Sequence, residues 1–192
     1  MTDWFNLWNN NERFWNDRKK KTEIIINYFE QNQFKPKTIL DIGCGLAVEV
    51  GILQNVFDTH LYLLDGIVKN SSYSNEERRI GFDTTDSMNF YLTEEELIKS
   101  WNERNLKYTF INAENFTPTD IGKVDFIYSG KSCGFHYPLN TYEKLINFCS
   151  TRKTKIIVDL RKGANQETKN FKIEKILLEE KKSVTAVIKF FY

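Results

Sequence analysis

Two hydrophobic rhythms alternate along this chain. Short apolar runs of strand length are separated by stretches in which apolar residues recur every three or four positions, the spacing of one helix face. The first such stretch, residues 4–33, predicts a helical N-terminal cap within 1–34: Trp4, Trp8 and Trp15 share a face, and Ile24, Ile25, Ile26, Tyr28 and Phe29 follow. Lys35-Pro36-Lys37 then ends the helix and extends the chain. Strands are expected at 39–42, 61–64, 108–111, 124–128 and 155–160, the last apolar enough to be buried on both faces. Helices fall between them, one through Val50, Leu53 and Val56, one from Thr93 to about Arg104 and one over 141–149. Thr93 and Glu96 read as a capping box, with Glu94 and Glu95 complementing the helix dipole. The ending differs: 172–178 and 184–191 are β-like runs joined by Glu179-Glu180-Lys181-Lys182-Ser183, an antiparallel hairpin.

Alternating β and α elements that close in a hairpin predict an α/β fold. It is a doubly wound, three-layer α/β/α sandwich whose mostly parallel sheet ends antiparallel. One domain over 1–192 is expected, because no linker or repeat divides the chain. Residues 66–105 form an insert, its polar part at 67–92 long enough to serve as a lid before the Thr93 helix.

Composition narrows the class. At 41% hydrophobic and 15% aromatic residues the chain is not disordered, and Phe and Tyr must fill much of its core. A net charge of +1 lacks the electrostatic footprint of a general nucleic-acid binder, and Arg18-Lys19-Lys20-Lys21 reads as a solvated helix face. Cys44, Cys133 and Cys149 are an odd set without metal-ligand spacing, so reduced thiols are expected. The start Met1-Thr2-Asp3-Trp4 lacks signal-peptide order, and no apolar run approaches the ~20 residues of a membrane span. A cytoplasmic protein without a membrane partner follows as the expectation.

The chemistry concentrates where predicted strands end. Asp41-Ile42-Gly43-Cys44-Gly45 joins a strand to a helix through a turn whose glycines admit close backbone approach. Asp65 ends the second strand near the ~20-residue offset at which an acid meets a ribose diol, with Gly66 beside it. A third fingerprint glycine is replaced by Val48, which disfavours a dinucleotide. Together with Asn112 and Ala113 after strand three and the hairpin finish, these residues resemble the class I S-adenosylmethionine-dependent methyltransferases over about 38–192. The resemblance implies S-adenosylmethionine as cofactor. Asp41, Gly43, Cys44, Gly45 and Leu46 would face its methionine part, Asp65 and Gly66 its ribose, and Asn112, Ala113 and Glu114 its adenine.

Strand four leads into Ser129-Gly130-Lys131-Ser132-Cys133-Gly134-Phe135-His136-Tyr137-Pro138, the loop that faces the transferred methyl in such a fold. With Gly43 to Ala47 and Leu63-Leu64-Asp65, its Gly134 to Pro138 segment resembles small sugar O-methyltransferases, a pattern to which Asn89-Phe90-Tyr91 could belong. The expectation is therefore O-methylation of a small-molecule or carbohydrate acceptor. Ser129 and Gly130 would border the cofactor. His136 is the natural base for an alcohol, because it titrates near neutrality. Tyr137 could orient the acceptor and Lys131 contact an anionic one, while Asp159 and Arg161 either line the same mouth or form a structural ion pair. No spacing marks a metal site. Two alternatives stay open: a nucleic-acid methyltransferase, and a non-catalytic module binding S-adenosylmethionine or S-adenosylhomocysteine. Oligomeric state is not legible.

Overall fold

The computed structural model describes residues 4–67 and 92–191. The expected lid and Asn89-Phe90-Tyr91 thus fall, apart from the lid's two end residues, outside the described residues.

Residues 4–33 form two helices rather than one, α1 (Trp4–Asn9) and α2 (Glu12–Gln31). Asn11 divides them: its backbone is extended and its Oδ1 accepts a hydrogen bond from Phe14 N at 3.0 Å, the N-cap that starts α2. Trp8 stacks on Phe14 at 6.1 Å between centroids, and Trp8 and Trp15 pack on the main core. The Trp4 side chain lies outside the described residues.

The order then runs β1 (Thr38–Ile42), α3 (Val48–Phe57), β2 (His60–Asp65), α4 (Glu94–Glu103), β3 (Tyr108–Asn112), β4 (Phe126–Ser129), α5 (Glu143–Cys149), β5 (Lys155–Arg161), β6 (Phe171–Glu179) and β7 (Ser183–Phe190). A 3-10 turn at Leu139–Tyr142 precedes α5. The capping box of α4 is formed, with Glu96 N donating to Thr93 Oγ1 at 3.2 Å and Thr93 N to Glu96 Oε2 at 2.8 Å.

The seven strands of the described residues join one sheet in the order β3-β2-β1-β4-β5-β7-β6. β1 to β5 are parallel, and β7 is inserted between β5 and β6, antiparallel to both. The expected hairpin is present, but its second strand is interior and its first forms the edge. Side chains alternate between the faces. Ile39, Phe126 and Ile157 pack with Ile25 and Phe29 of α2, Leu53 of α3 and Trp101 of α4. Leu40, Ile127 and Val158 pack with Leu145 and Ile146 of α5. The result is the expected three-layer sandwich. Strand order reverses between β1 and β4, so the carboxyl ends of those strands open the crevice where such sheets take ligands.

Candidate functional site

The turn after β1 is tightly specified. Gly43, Gly45 and Ala47 all have positive φ, at 71°, 49° and 50°. Gly43 N and Cys44 N donate to Leu64 O at 2.8 and 3.2 Å, tying the turn to β2. On the other side Trp101 Nε1 donates to Gly45 O at 3.1 Å, and the Arg104 guanidinium donates to Leu46 O and, at 3.4 Å, to Ala47 O. A Cβ on Gly43 would lie 2.0 Å from Ser132 Oγ, so the loop after β4 presses against this turn. A Cβ on Gly45 would meet nothing within 4 Å among the described residues, which leaves an open cradle among them beside its backbone.

Two carboxylates stand near the carboxyl ends of β1 and β2. Asp65, half-buried at the tip of β2, accepts from Gly45 N at 2.5 Å and Gly66 N at 2.8 Å. Burial pushes its carboxyl up to about 6 against the pull of those two amides. A carboxylate has about four lone-pair sites, so Asp65 keeps capacity for further donors. Asp41, 3% exposed, has an Oδ1 with no hydrogen-bond partner among the described residues. Burial, then the charges of Glu49 and Asp65, push its carboxyl well above the ordinary range. An orphaned buried acceptor is costly unless a donor or cation arrives to meet it. Burial first, then the charges of Asp65 and Asp41, pushes the Cys44 thiol up.

On the β3 side, Asn112 pairs in register with Asp65, and its Oδ1 accepts from Glu114 N at 2.9 Å, a turn-forming use. Ala113 N donates to Asp65 O at 2.9 Å. Ala113, Phe116 and Tyr142 are half-buried against the second core, while Glu114 is exposed. Burial, then the charges of Tyr137, Cys133 and Asp65, raise the Tyr142 phenol. Phe116 and Tyr142 were not singled out by sequence; their only signal is their spacing behind strand ends.

The loop after β4 is pinned at several points. Ser129 is fully buried; its Oγ donates to Ile42 O at 2.8 Å and accepts from Cys133 N at 2.9 Å, so this hydroxyl braces β4 against β1. A Cβ on Gly130 would lie 2.7 Å from Tyr128 Oη. Lys131 has φ 57°, and its Nζ lies 3.4 Å from Glu180 Oε2, directed at the β6–β7 turn. His136 is exposed and lies edge-on to Phe135 at 5.0 Å; Tyr137 is half-buried. Burial pushes the Cys133 thiol up to about 12, leaving it protonated at neutral pH. His60 is bound to Thr109 Oγ1 at 2.9 Å at the opposite end of the sheet.

The basic run of α2 requires a correction. Lys19 and Lys20 are exposed, but Arg18 is half-buried and Lys21 is 4% exposed. Arg18 Nη1 donates to Glu49 Oε1 at 2.6 Å, and Tyr128 Oη donates to the same oxygen at 2.9 Å. Burial pushes the Glu49 carboxyl up, but Arg18 and Lys21 outweigh it and hold it below its ordinary range. Lys21 Nζ bonds Asp159 Oδ2, so Asp159 is a buried structural partner rather than part of an open mouth. Sequence spacing could not show this, because the partners stand far apart in the chain. Among the described residues no group of three or more His, Cys, Asp or Glu could hold a metal ion, and no helix is long and apolar enough to cross a membrane.

The strand order, the inserted β7 and the glycine turn at the switch point make this a Rossmann-like methyltransferase fold. No family model matches the sequence and no curated protein matches it. Solved structures do. The PH0226 protein from Pyrococcus horikoshii OT3 aligns with a TM-score of 0.62 at 12% identity over 94% of this chain and 92% of that one. The plantazolicin methyltransferase BpumL, in complex with a monoazolic desmethylPZN analog and SAH, aligns at 0.54 and 18% identity. That match covers 80% of this chain, which spans only half the length of BpumL. A mutant of MtNAS in complex with S-adenosylmethionine aligns at 0.57 and 13% identity, over 88% of this chain and 61% of that one.

Proposed function

We propose that the protein is an S-adenosylmethionine-dependent methyltransferase acting on an oxygen of a small polar acceptor, with a carbohydrate favoured. The observation that carries this reading is the open space at Gly45, whose amide Asp65 holds, together with a buried Asp41 Oδ1 that has no partner among the described residues. Support comes from neighbours of the same fold in complex with S-adenosylmethionine or SAH. The residues fit the cofactor. Asp65 has acceptor capacity for a ribose diol, Ala113 beside it offers an apolar contact for adenine, and Asp41, whose carboxyl is raised by burial, would ionise on meeting a cationic methionine end. When bound, the cofactor supplies a methyl group activated by its sulfonium.

The chain's own residues do the rest. An acceptor hydroxyl is a poor nucleophile until its proton leaves, and His136 is the base that takes it. Tyr137 orients the acceptor. Lys131, already beside Glu180, contacts an anionic acceptor only by leaving that pair. The carbohydrate preference rests on the likeness of the Gly134 to Pro138 segment to sugar O-methyltransferases. The decisive test is calorimetry with S-adenosylhomocysteine, followed by labelled methyl transfer into fractionated metabolites and oligosaccharides. Asp65→Ala should weaken the cofactor tenfold or more, the loss of at least one charge-assisted bond. Unchanged affinity in that variant would remove the ribose from Asp65. His136→Ala should lose turnover of the acceptor so identified and keep cofactor affinity.

A further inference from the structure

Asp159 joins two parts of the molecule that are distant in sequence. Its side chain is fully buried on the face covered by α2. Oδ2 accepts from Lys21 Nζ of α2 and from the backbone N of Lys131 at 3.0 Å, while Oδ1 accepts from Thr185 Oγ1 of β7 at 2.6 Å. Lys131 is held there in a left-handed conformation at φ 57°. The far end of the same loop is fixed to the same strand: Gly134 O accepts from Arg161 N at 2.9 Å and from Gln166 Nε2 at 3.0 Å. Between these anchors stands Ser132, the residue pressed against Gly43.

We propose that Lys21 is a positioning residue for the loop after β4, acting through Asp159; naming that loop the acceptor side rests on the methyltransferase reading above. A buried carboxylate without a cation tends to take a proton or to move toward water. An Asp159 side chain that has turned away holds the Lys131 amide less well, because Oδ2 no longer stands 3.0 Å from it. Lys21, bonded to Oδ2, holds the carboxylate in place. The N-terminal helix thereby sets the register of Ser132, and of His136 beyond it, against the glycine turn.

Hydrogen exchange on the full chain tests this, with amides of β1 and β2 as internal reference. Lys21→Met should speed exchange over residues 131–137 at least tenfold relative to the reference. Lys21→Arg, which restores the cation, should return the rates to within threefold of wild type. Thr185→Val, which frees only the other oxygen, should also stay within threefold. S-adenosylhomocysteine affinity should change less than threefold in Lys21→Met, since the glycine turn and Asp65 lie on other elements and Ser129 is held separately by Ile42 O. Unchanged loop exchange in folded Lys21→Met overturns the proposal, as does a tenfold loss of that affinity, which would mean general damage to the crevice. Should Lys21→Met fail to fold, the neutral pair Lys21→Met with Asp159→Asn removes the unpaired charge. The same acceleration is then expected, and wild-type protection overturns the idea. Absence of S-adenosylhomocysteine binding to the wild type would sink the methyltransferase reading and leave the exchange result standing.

Discussion

Gly43 and Gly45 sit two positions apart in one turn, yet a methyl group would do different damage at each. At Gly43 the added carbon collides with Ser132 and the backbone at φ 71° disfavours it. At Gly45 it meets none of the described residues, at the cost of about 1–2 kcal/mol for a left-handed L-residue. Gly45→Ala should therefore remain folded and lose cofactor affinity, and Gly43→Ala should lose more in stability; denaturant titration beside calorimetry separates the two. Asp65 gives a prediction in pH. Its folded carboxyl is raised from 3.8 to about 6, so its contribution to stability is present below 3.8 and lost as pH rises through 6. Ribose hydroxyls prefer the ionised form, so affinity should move oppositely, falling about tenfold from pH 7.5 to 5 while the free protein gains stability. Affinity constant over that range would show that Asp65 does not meet the ligand. The glycines, Asp41 and Asp65 were legible in sequence because their chemistry is local: a turn needs positive φ, and an acid must end a strand. Arg18 and Lys21 were not. Their burial is decided by Glu49, Tyr128 and Asp159, which reach them only once the sheet is assembled.

At the scale of elements, α4 does more than cover the sheet. Its Trp101, fully buried, and Arg104, just beyond its end, donate to the carbonyls of the glycine turn, while Gly45 N is held by Asp65, so the turn is fixed from both sides. Burial lowers the Arg104 guanidinium to about 10, so it stays cationic at neutral pH. Arg104→Met should weaken cofactor binding without touching the ligand. Thr93→Ala should cost about 1 kcal/mol through the lost cap and leave affinity near wild type. The capping box was readable because it is written in four consecutive residues. The break between α1 and α2 was written nearly as plainly, in Asn10-Asn11, but the tryptophan periodicity running across it masked the cap.

For the molecule as a whole, the α/β alternation specified layers and the hairpin, while the placement of β7 inside the sheet depended on pairing that no local pattern reveals. The N-terminal helices belong to the fold rather than decorate it: Ile25 and Phe29 are fully buried, and α2 supplies the cations for Glu49 and Asp159. Deleting residues through Gln31 should abolish cooperative thermal unfolding. A sharp transition near the wild-type midpoint would contradict that role. The inserted strand also bears on synthesis. While β7 is still inside the ribosome, the flank of β5 from Ile156 to Arg161 stands open and Asp159 has no Thr185. Nascent chains thus pass through an interval with an adhesive edge and an unfinished loop anchor, the stage at which a chaperone would matter most.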